Sequence, residues 1–274
     1  MPGRLKVLYV TDLSYPARGR RFCDEDIHLT SRLREHFDIA LCNPRDAAAF
    51  IRGGGGFDVV VVRNSGPVID YPEAYREFRE AALASGITVY NPLTGKGDMA
   101  GKQYLVDLTA LGFPVIPTVE RVADVGRLPE AELYVVKPKA GADSHGLEIV
   151  PREKIRDESD MLIQPKVDFK YEVSFYYVDR EFQYALNAPD PARRWELVEY
   201  RPTGADLAFA ERFVEWNGLE HGIQRVDACR TRDGELLLVE LEDLNPYLSL
   251  DRVPERTRDR FVEAVVKSIT GSAG

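Results

Sequence analysis

The sequence predicts an α/β chain: an N-terminal open α/β domain over residues 1–95, then two α+β subdomains over 96–165 and 166–274. Three observations carry this reading. Strand and helix patterns alternate up to Pro92, and Phe57 to Arg63 is a continuous apolar run of the kind found where both faces of a parallel sheet are covered. From Asp98 the pattern changes to one short helix and paired strands around a glycine-bearing loop. Finally, Gly222 to Pro246 reads as a β-hairpin about an Asp233-Gly234 turn.

In chain order, Leu5 to Val10 is a buried strand, and Ile27 to Phe37 has helical spacing at Ile27, Leu33 and Phe37. Ile39 to Cys42 is a second strand. Ala47 to Ile51 leads into Gly53 to Gly56, a loop rather than a phosphate cradle, because it precedes a strand instead of opening a helix. Phe57 to Arg63, a helix from Pro72 to Ser85 and a strand from Thr88 to Tyr90 complete the domain. Arg63 ends the buried strand, where open α/β sheets bind ligands. It can hold a substrate carboxylate, or cap the helix starting near Tyr71.

Asp98 is placed to cap a helix with an apolar stripe of Tyr104, Leu105, Leu108 and Leu111, closed by Gly112 and Pro114, with Lys102 on its first turn. GKGDMAGKQ lacks the spacing and hydroxyl of a Walker phosphate loop. Lys137 ends an apolar strand on the face of Leu133 and Val135, where an ammonium is partly desolvated unless it meets an anion. Lys139 to Gly146, with Gly141, Asp143, Ser144 and His145, connects to a returning strand from Leu147 to Val150. Such a loop can wrap phosphate oxygens or be an ordinary surface hairpin. Met161 to Asp168 leads out as a strand. Glu172 to Val178 alternates, with Glu172, Ser174 and Tyr176 on one face, and Phe182 to Leu186 returns antiparallel. Helices follow over Ala208 to Asn217 and Arg256 to Ile269.

With a two-residue loop at Asp233-Gly234, Asp227 faces Glu240 and Arg225 faces Glu242, all on one side of the sheet. Three carboxylates beside one guanidinium on an apolar hairpin call for a further cation, and a hard divalent ion, Mg2+ or Mn2+, suits oxygen ligands. The competing reading is an exposed edge hairpin with solvated charges.

The 274 residues carry a net charge of −9, which argues against a nucleic-acid partner. No stretch is long enough to span a membrane, and the amino terminus has no signal-peptide pattern, so a cytoplasmic protein is expected. Cys23, Cys42 and Cys229 are scattered and read as reduced structural residues. A dinucleotide-dependent dehydrogenase is excluded, since Thr11 to Pro16 has no GxGxxG. Two lysines, a glycine loop and a carboxylate hairpin together point to nucleotide triphosphate chemistry without a Walker motif.

KQYLVDLTALGFPVIPT, VVKPKAGADSHG, LIQPKV, RVDA and VELEDLNP, in this order, resemble the ATP-grasp superfamily in its glutathione synthetase-like branch. VVVRNSGPVIDY in the first domain is similar in particular to the cyclo-ligase of cycloserine biosynthesis. The resemblance implies an ATP-grasp fold whose two subdomains clasp ATP. It also implies a carboxylate-amine ligase working through an acyl phosphate on amino-acid-like small molecules of specialised metabolism. Ring closure by the same chemistry and a non-catalytic nucleotide-binding module are the alternatives. It assigns the ATP phosphates to Lys102, Lys137 and the loop of Gly141, Ser144, His145 and Gly146. Adenine falls to a hinge of Gln164, Pro165, Lys166 and Val167. The metal ligands are Asp227, Glu240 and Glu242, with Asn245 competing with Glu242, and Arg225 meets the transferred phosphoryl group. Asn187, Ala188, Trp195 and Glu196 depart from the branch's pattern where acceptor groups are expected. Arg63, Glu172 and Arg201 are the candidates for substrate recognition. The expected partners are a small-molecule carboxylate and amine, with ATP and Mg2+ or Mn2+, no nucleic acid and no membrane; a homodimer stays open.

Overall fold

The structure, a computed structural model, describes residues 3–13, 16–17, 20–21, 23–63, 71–140, 146–193 and 195–274, without the side chains of 16, 17, 20, 21 and 191. In the first domain the elements are β1 (Lys6–Val10), the paired two-residue strands β2 (Pro16–Ala17) and β3 (Arg20–Arg21), α1 (Cys23–Leu33), β4 (Asp38–Cys42), α2 (Ala47–Arg52), β5 (Val59–Val62), α3 (Pro72–Ser85) and β6 (Thr88–Tyr90). The main sheet is parallel, in the order β4-β1-β5-β6. Its crossover helices cover both faces, and all four valines of β5 are buried. Pro72 at the first turn and Gly86 in the left-handed region (φ 67°) delimit α3. Gly53 to Gly56 enters β5 at the edge where strands begin, away from Arg63.

The first helix differs from the expected Ile27–Phe37. It starts at Cys23 and ends at Leu33, its buried residues are Cys23, Glu25, Asp26, Leu29 and Leu33, and Ile27 is half exposed. Two acidic residues on the inner face mask the true stripe, because their charge is met inside by Arg63.

The middle of the chain carries α4 (Tyr104–Ala110), then β7 (Tyr134–Pro138), β8 (Glu148–Val150) and β9 (Met161–Pro165), an antiparallel sheet in the order β8-β7-β9. Beyond lie β10 (Phe169–Val178), β11 (Glu181–Ala188), β12 (Val198–Tyr200), α5 (Gly204–Asn217), β13 (Ile223–Thr231), β14 (Leu236–Glu242) and α6 (Glu255–Ser272). These strands form an antiparallel sheet in the order β12-β11-β10-β13-β14. A capping box between Thr203 and Asp206 starts α5 four residues ahead of its apolar pattern.

One core unites β1, β5 and α1 with Tyr176, Tyr184 and Leu186 of the large antiparallel sheet and with Phe261, Val262, Val265 and Ile269 of α6. The opposite face of that sheet packs on α5 and α4 through Tyr104, Leu105, Leu108 and Phe213. The first domain and the last subdomain are thus joined by shared apolar burial, while the sheet of β7 to β9 has its own small core. Among the described residues no helix is long and apolar enough to cross a membrane.

Candidate functional site

The β13–β14 hairpin pairs Arg225 with Glu242 and Asp227 with Glu240, the expected partners, by a different route. The loop has three residues rather than two: Thr231 pairs with Glu235 and Gly234 adopts φ 97°. The one-residue offset this creates, Ala228 opposite Leu238, is cancelled by a bulge at Val239. Past the bulge the charged residues return to one face, beside Ser174 and Tyr176 of β10.

Arg225 grips Asp227 with Nε to Oδ1 at 2.9 Å and a second nitrogen to Oδ2 at 2.8 Å. It also bonds Glu242 and donates to the Tyr247 carbonyl at 2.8 Å. Burial disfavours its charge, but Asp227 and Glu242 hold the guanidinium well above its ordinary pKa. Burial pushes the Glu242 carboxyl up to about 8; Asp227 and Glu240 add to this, against the opposing pull of Arg225 and Lys102.

Lys102 is 8% exposed, and its ammonium lies 2.8 Å from Glu240 Oε1. Burial opposes its charge, yet Glu240, with Asp98 and Glu242 behind it, raises its pKa. Lys102 lies in the turn before α4, not on a longer helix, because Gly101 (φ 84°) separates a 3-10 turn at Asp98–Ala100 from α4. Asp98 caps no helix: its Oδ1 accepts from the backbone N–H groups of Asp243 (2.6 Å) and Leu244 (2.9 Å). Leu111 points to solvent at 64% exposure, since α4 ends before it.

Lys137 ends β7 on the side of Val135, with no ion-pair partner among the described residues. Burial and the nearby Lys102 charge depress its ammonium to about 8, only partly offset by Glu240. Along the same face, Val135 pairs with Ile149, which is half exposed, and with Gln164. The orphan lysine therefore sits beside a partly uncovered apolar wall. Gly141, Ser144 and His145 lie outside the described residues. Gly146, where the chain returns, has φ 71°, and a Cβ there would meet Pro138 Cγ at 2.9 Å.

Gln164, by contrast, is 3% exposed and donates to Thr118 Oγ1 at 2.8 Å, so its side-chain amide is committed inside the protein. Pro165 ends β9, and the Lys166 N–H bonds the Leu133 carbonyl at 2.9 Å, leaving Val167 half-buried beyond.

The three substrate candidates lie in different surroundings. Arg63 is 3% exposed, donates to Glu25 Oε1 at 3.0 Å and to the Pro246 carbonyl at 2.9 Å, and lies 3.6 Å from Asp26. Its guanidinium compensates buried carboxylates and ties the first domain to the loop after β14. Arg201 is exposed past β12, the edge strand opposite β14, roughly 19 Å away at ordinary strand spacing, and is not brought to the cluster. Glu172 does share the face of Ser174 and Tyr176, opposite Cys229.

The expected metal set is not assembled as such. No group of three His, Cys, Asp or Glu among the described residues is arranged to hold a metal ion. The reason is that Arg225 chelates Asp227 and bonds Glu242, while Lys102 takes Glu240. The donor chemistry nevertheless fits magnesium bound jointly with phosphate, which takes only one or two carboxylates from the protein. Glu240 and Glu242 would supply these from alternate, same-face positions, and burial, with the neighbouring Asp227 and Glu240 charges, holds the Glu242 carboxyl up at about 8. Asn245 lies half-buried just past them.

Sequence reasoning missed Asp243, which is fully buried and accepts from the N–H groups of Gly97 and Met99, both at 2.9 Å. The available signal was the pair of glycines in GKGD, both of which sit against the Asp243 carboxylate.

The fold has solved counterparts. D-cycloserine synthetase matches over 96% of this chain and 99% of its own, at 22% identity and a TM-score of 0.72. D-alanine–D-alanine ligase from Bacillus anthracis, complexed with ATP, matches over 98% and 97%, at 13% identity and a TM-score of 0.69. An ATP-grasp ligase complexed with a precursor variant, Mg and ADP matches over 97% and 99%, at 13% identity and a TM-score of 0.64. The chain has the ATP-grasp fold. Each match spans nearly the whole chain. No family model matches the chain, and no curated protein matches it by sequence.

Proposed function

We propose that the chain is an ATP-dependent carboxylate-amine ligase that forms an amide or peptide bond and releases ADP and phosphate. The observation that carries the proposal is the convergence of two lysines on Glu240 of the carboxylate hairpin, one by an ion pair and one within electrostatic reach. Lys102 meets Glu240 there, and Lys137 is held half-buried with no ion-pair partner among the described residues. An isolated buried ammonium is costly, and polyphosphate is the anion that two such lysines suit. Val135 and Ile149 offer the base an apolar surface next to Lys137. The neighbours named as ligases, one complexed with ATP and one with Mg and ADP, support the same reading.

In the mechanism, a substrate carboxylate oxygen attacks the γ-phosphorus, the bond to the β–γ bridging oxygen breaks, and ADP leaves. The amine then attacks the acyl phosphate, phosphate departs, and the amine loses a proton. Lys102 and Lys137 neutralise the phosphate charge. Arg225, fixed by Asp227, Glu242 and the Tyr247 carbonyl, is oriented at the carboxylate face to stabilise the phosphoryl group in transit. Positioning and electrostatic stabilisation supply the catalysis, so no nucleophilic side chain is needed. Glu240 and Glu242, with Asn245 or Asp227 completing the set, would hold Mg2+, which when bound offsets charge on the phosphate oxygens. Glu172 is the remaining substrate candidate.

The test is incubation of the purified protein with ATP, Mg2+ and panels of amino acids and dipeptides. ADP and phosphate should accumulate only with the right pair, and mass spectrometry of the product separates intermolecular from ring-closing ligation. Release of AMP and pyrophosphate would refute the acyl-phosphate route.

A further inference from the structure

Asp98 and Asp243 face no ligand in the ligase reading, yet they join the two segments that carry its charges. Asp243 Oδ2 accepts from Gly97 N–H and its Oδ1 from Met99 N–H, each at 2.9 Å. In return Asp98 Oδ1 accepts from Asp243 N–H at 2.6 Å and Leu244 N–H at 2.9 Å. Each carboxyl group therefore holds backbone of the segment that carries the other. The fit is close: a Cβ at Gly97 would lie 2.7 Å from the Leu241 carbonyl and 3.0 Å from Asp243 Cγ. A fifth tie runs from Leu241 N–H to Tyr104 Oη at 2.7 Å.

What this clasp spans gives it meaning. Lys102 follows Asp98 by four residues, and its N–H continues to the Lys139 carbonyl at 2.9 Å, just past Lys137. Glu242 immediately precedes Asp243, and Glu240 lies three residues before it. The ammonium-to-carboxylate separation of 2.8 Å between Lys102 and Glu240 is thus set across backbone that the two aspartates lock together. We infer that the Asp98–Asp243 clasp is a positioning device that fixes Lys102 against Glu240 and Glu242 for nucleotide binding. The inference rests on the ligase reading for the identity of the ligand. A purely structural tie would use the same bonds, but would lower stability without acting through Lys102.

The experiment is calorimetric titration of the full chain with a non-hydrolysable ATP analogue and Mg2+. Asp98→Ala should weaken binding about tenfold, the scale of losing hydrogen bonds to a charged or strongly polarised group. Asp98→Asn, whose Oδ1 can still accept from both N–H groups while its amide faces the Asp243 carboxylate, should bring affinity back to within about threefold of wild type. In the Lys102→Ala background, Asp98→Ala should cost less than about threefold more, because residues acting through one contact are not additive. If Asp98→Ala does not fold, the same cycle is run with Asp98→Ser. A wild-type protein that fails to bind the analogue refutes the nucleotide site itself. Wild-type binding with unchanged affinity in the folded Asp98 variant, or with fully additive Asp98 and Lys102 effects, overturns the clasp alone.

Discussion

Lys137 and Glu242 are displaced from their ordinary ionisation in opposite senses, and both arrive near pH 8. Below that pH Glu242 holds a proton that magnesium and phosphate binding would expel; above it Lys137 lacks a proton that phosphate binding would restore. Affinity for Mg·ATP should therefore rise towards pH 8 and fall beyond it, each limb approaching tenfold per pH unit. Calorimetric titrations in buffers of different ionisation enthalpy should show proton release on the acid side and uptake on the alkaline side. Lys137→Arg should abolish the alkaline limb and Glu242→Gln the acid one; a profile unchanged by both rules out this account. Stability gives a separate readout. The folded pKa of Glu242 lies above its unfolded value, so its contribution to stability is present below about pH 4.5 and is lost as pH rises through about 8. Glu242→Gln should thus raise the Tm of the ligand-free protein at pH 8.5 by about 2–4 °C, the shift about 1 kcal/mol gives in a chain of this size.

At the scale of elements, the hairpin carries the site because two irregularities cancel. A three-residue loop shifts the ladder by one residue and the bulge at Val239 shifts it back, so Arg225, Asp227, Glu240 and Glu242 share a face. The charge pairing was legible because alternation and an Asp-Gly turn constrain a register, but LLLVELE is apolar through the bulge and conceals it. The parallel sheet was legible from its valine runs. The extent of α1 was not, since Glu25 and Asp26 point inward towards an arginine 37 or 38 positions away, and local periodicity reports no such partner. The same blindness hid Asp243, whose donors come from residues 97 and 99. Gly234→Ala tests the loop. At φ 97° a side chain is strained, and the cost of about 1–2 kcal/mol should lower the Tm by several degrees. ATP affinity should stay unchanged, because Glu240 is six residues along the strand, roughly 20 Å away; a matching loss of affinity would mean that the loop sets the register at the site.

Across the whole molecule, the first domain is fastened to the large antiparallel sheet and the loop after β14 by buried polar ties as well as by the core it shares with α6. Asn91 bonds both the N–H and the carbonyl of Ile223 and the carbonyl of Asp243, Glu25 accepts from Leu248 N–H, and Arg63 donates to the Pro246 carbonyl. Arg63 stands at the centre of this fastening, with Glu25 Oε1 at 3.0 Å and Asp26 Oδ1 at 3.6 Å. Arg63→Ala removes that compensation from two carboxylates that remain buried, a change that typically costs about 3–5 kcal/mol. Denaturant unfolding should register a loss of that size. Combining Arg63→Met with Glu25→Gln and Asp26→Asn should recover much of it, because the two carboxylate charges that Arg63 faces are then removed with it. A substrate-binding arginine would behave in the opposite way, with near wild-type stability and a raised KM for the carboxylate substrate. The two outcomes separate cleanly, because a side chain 3% exposed has no surface with which to do both.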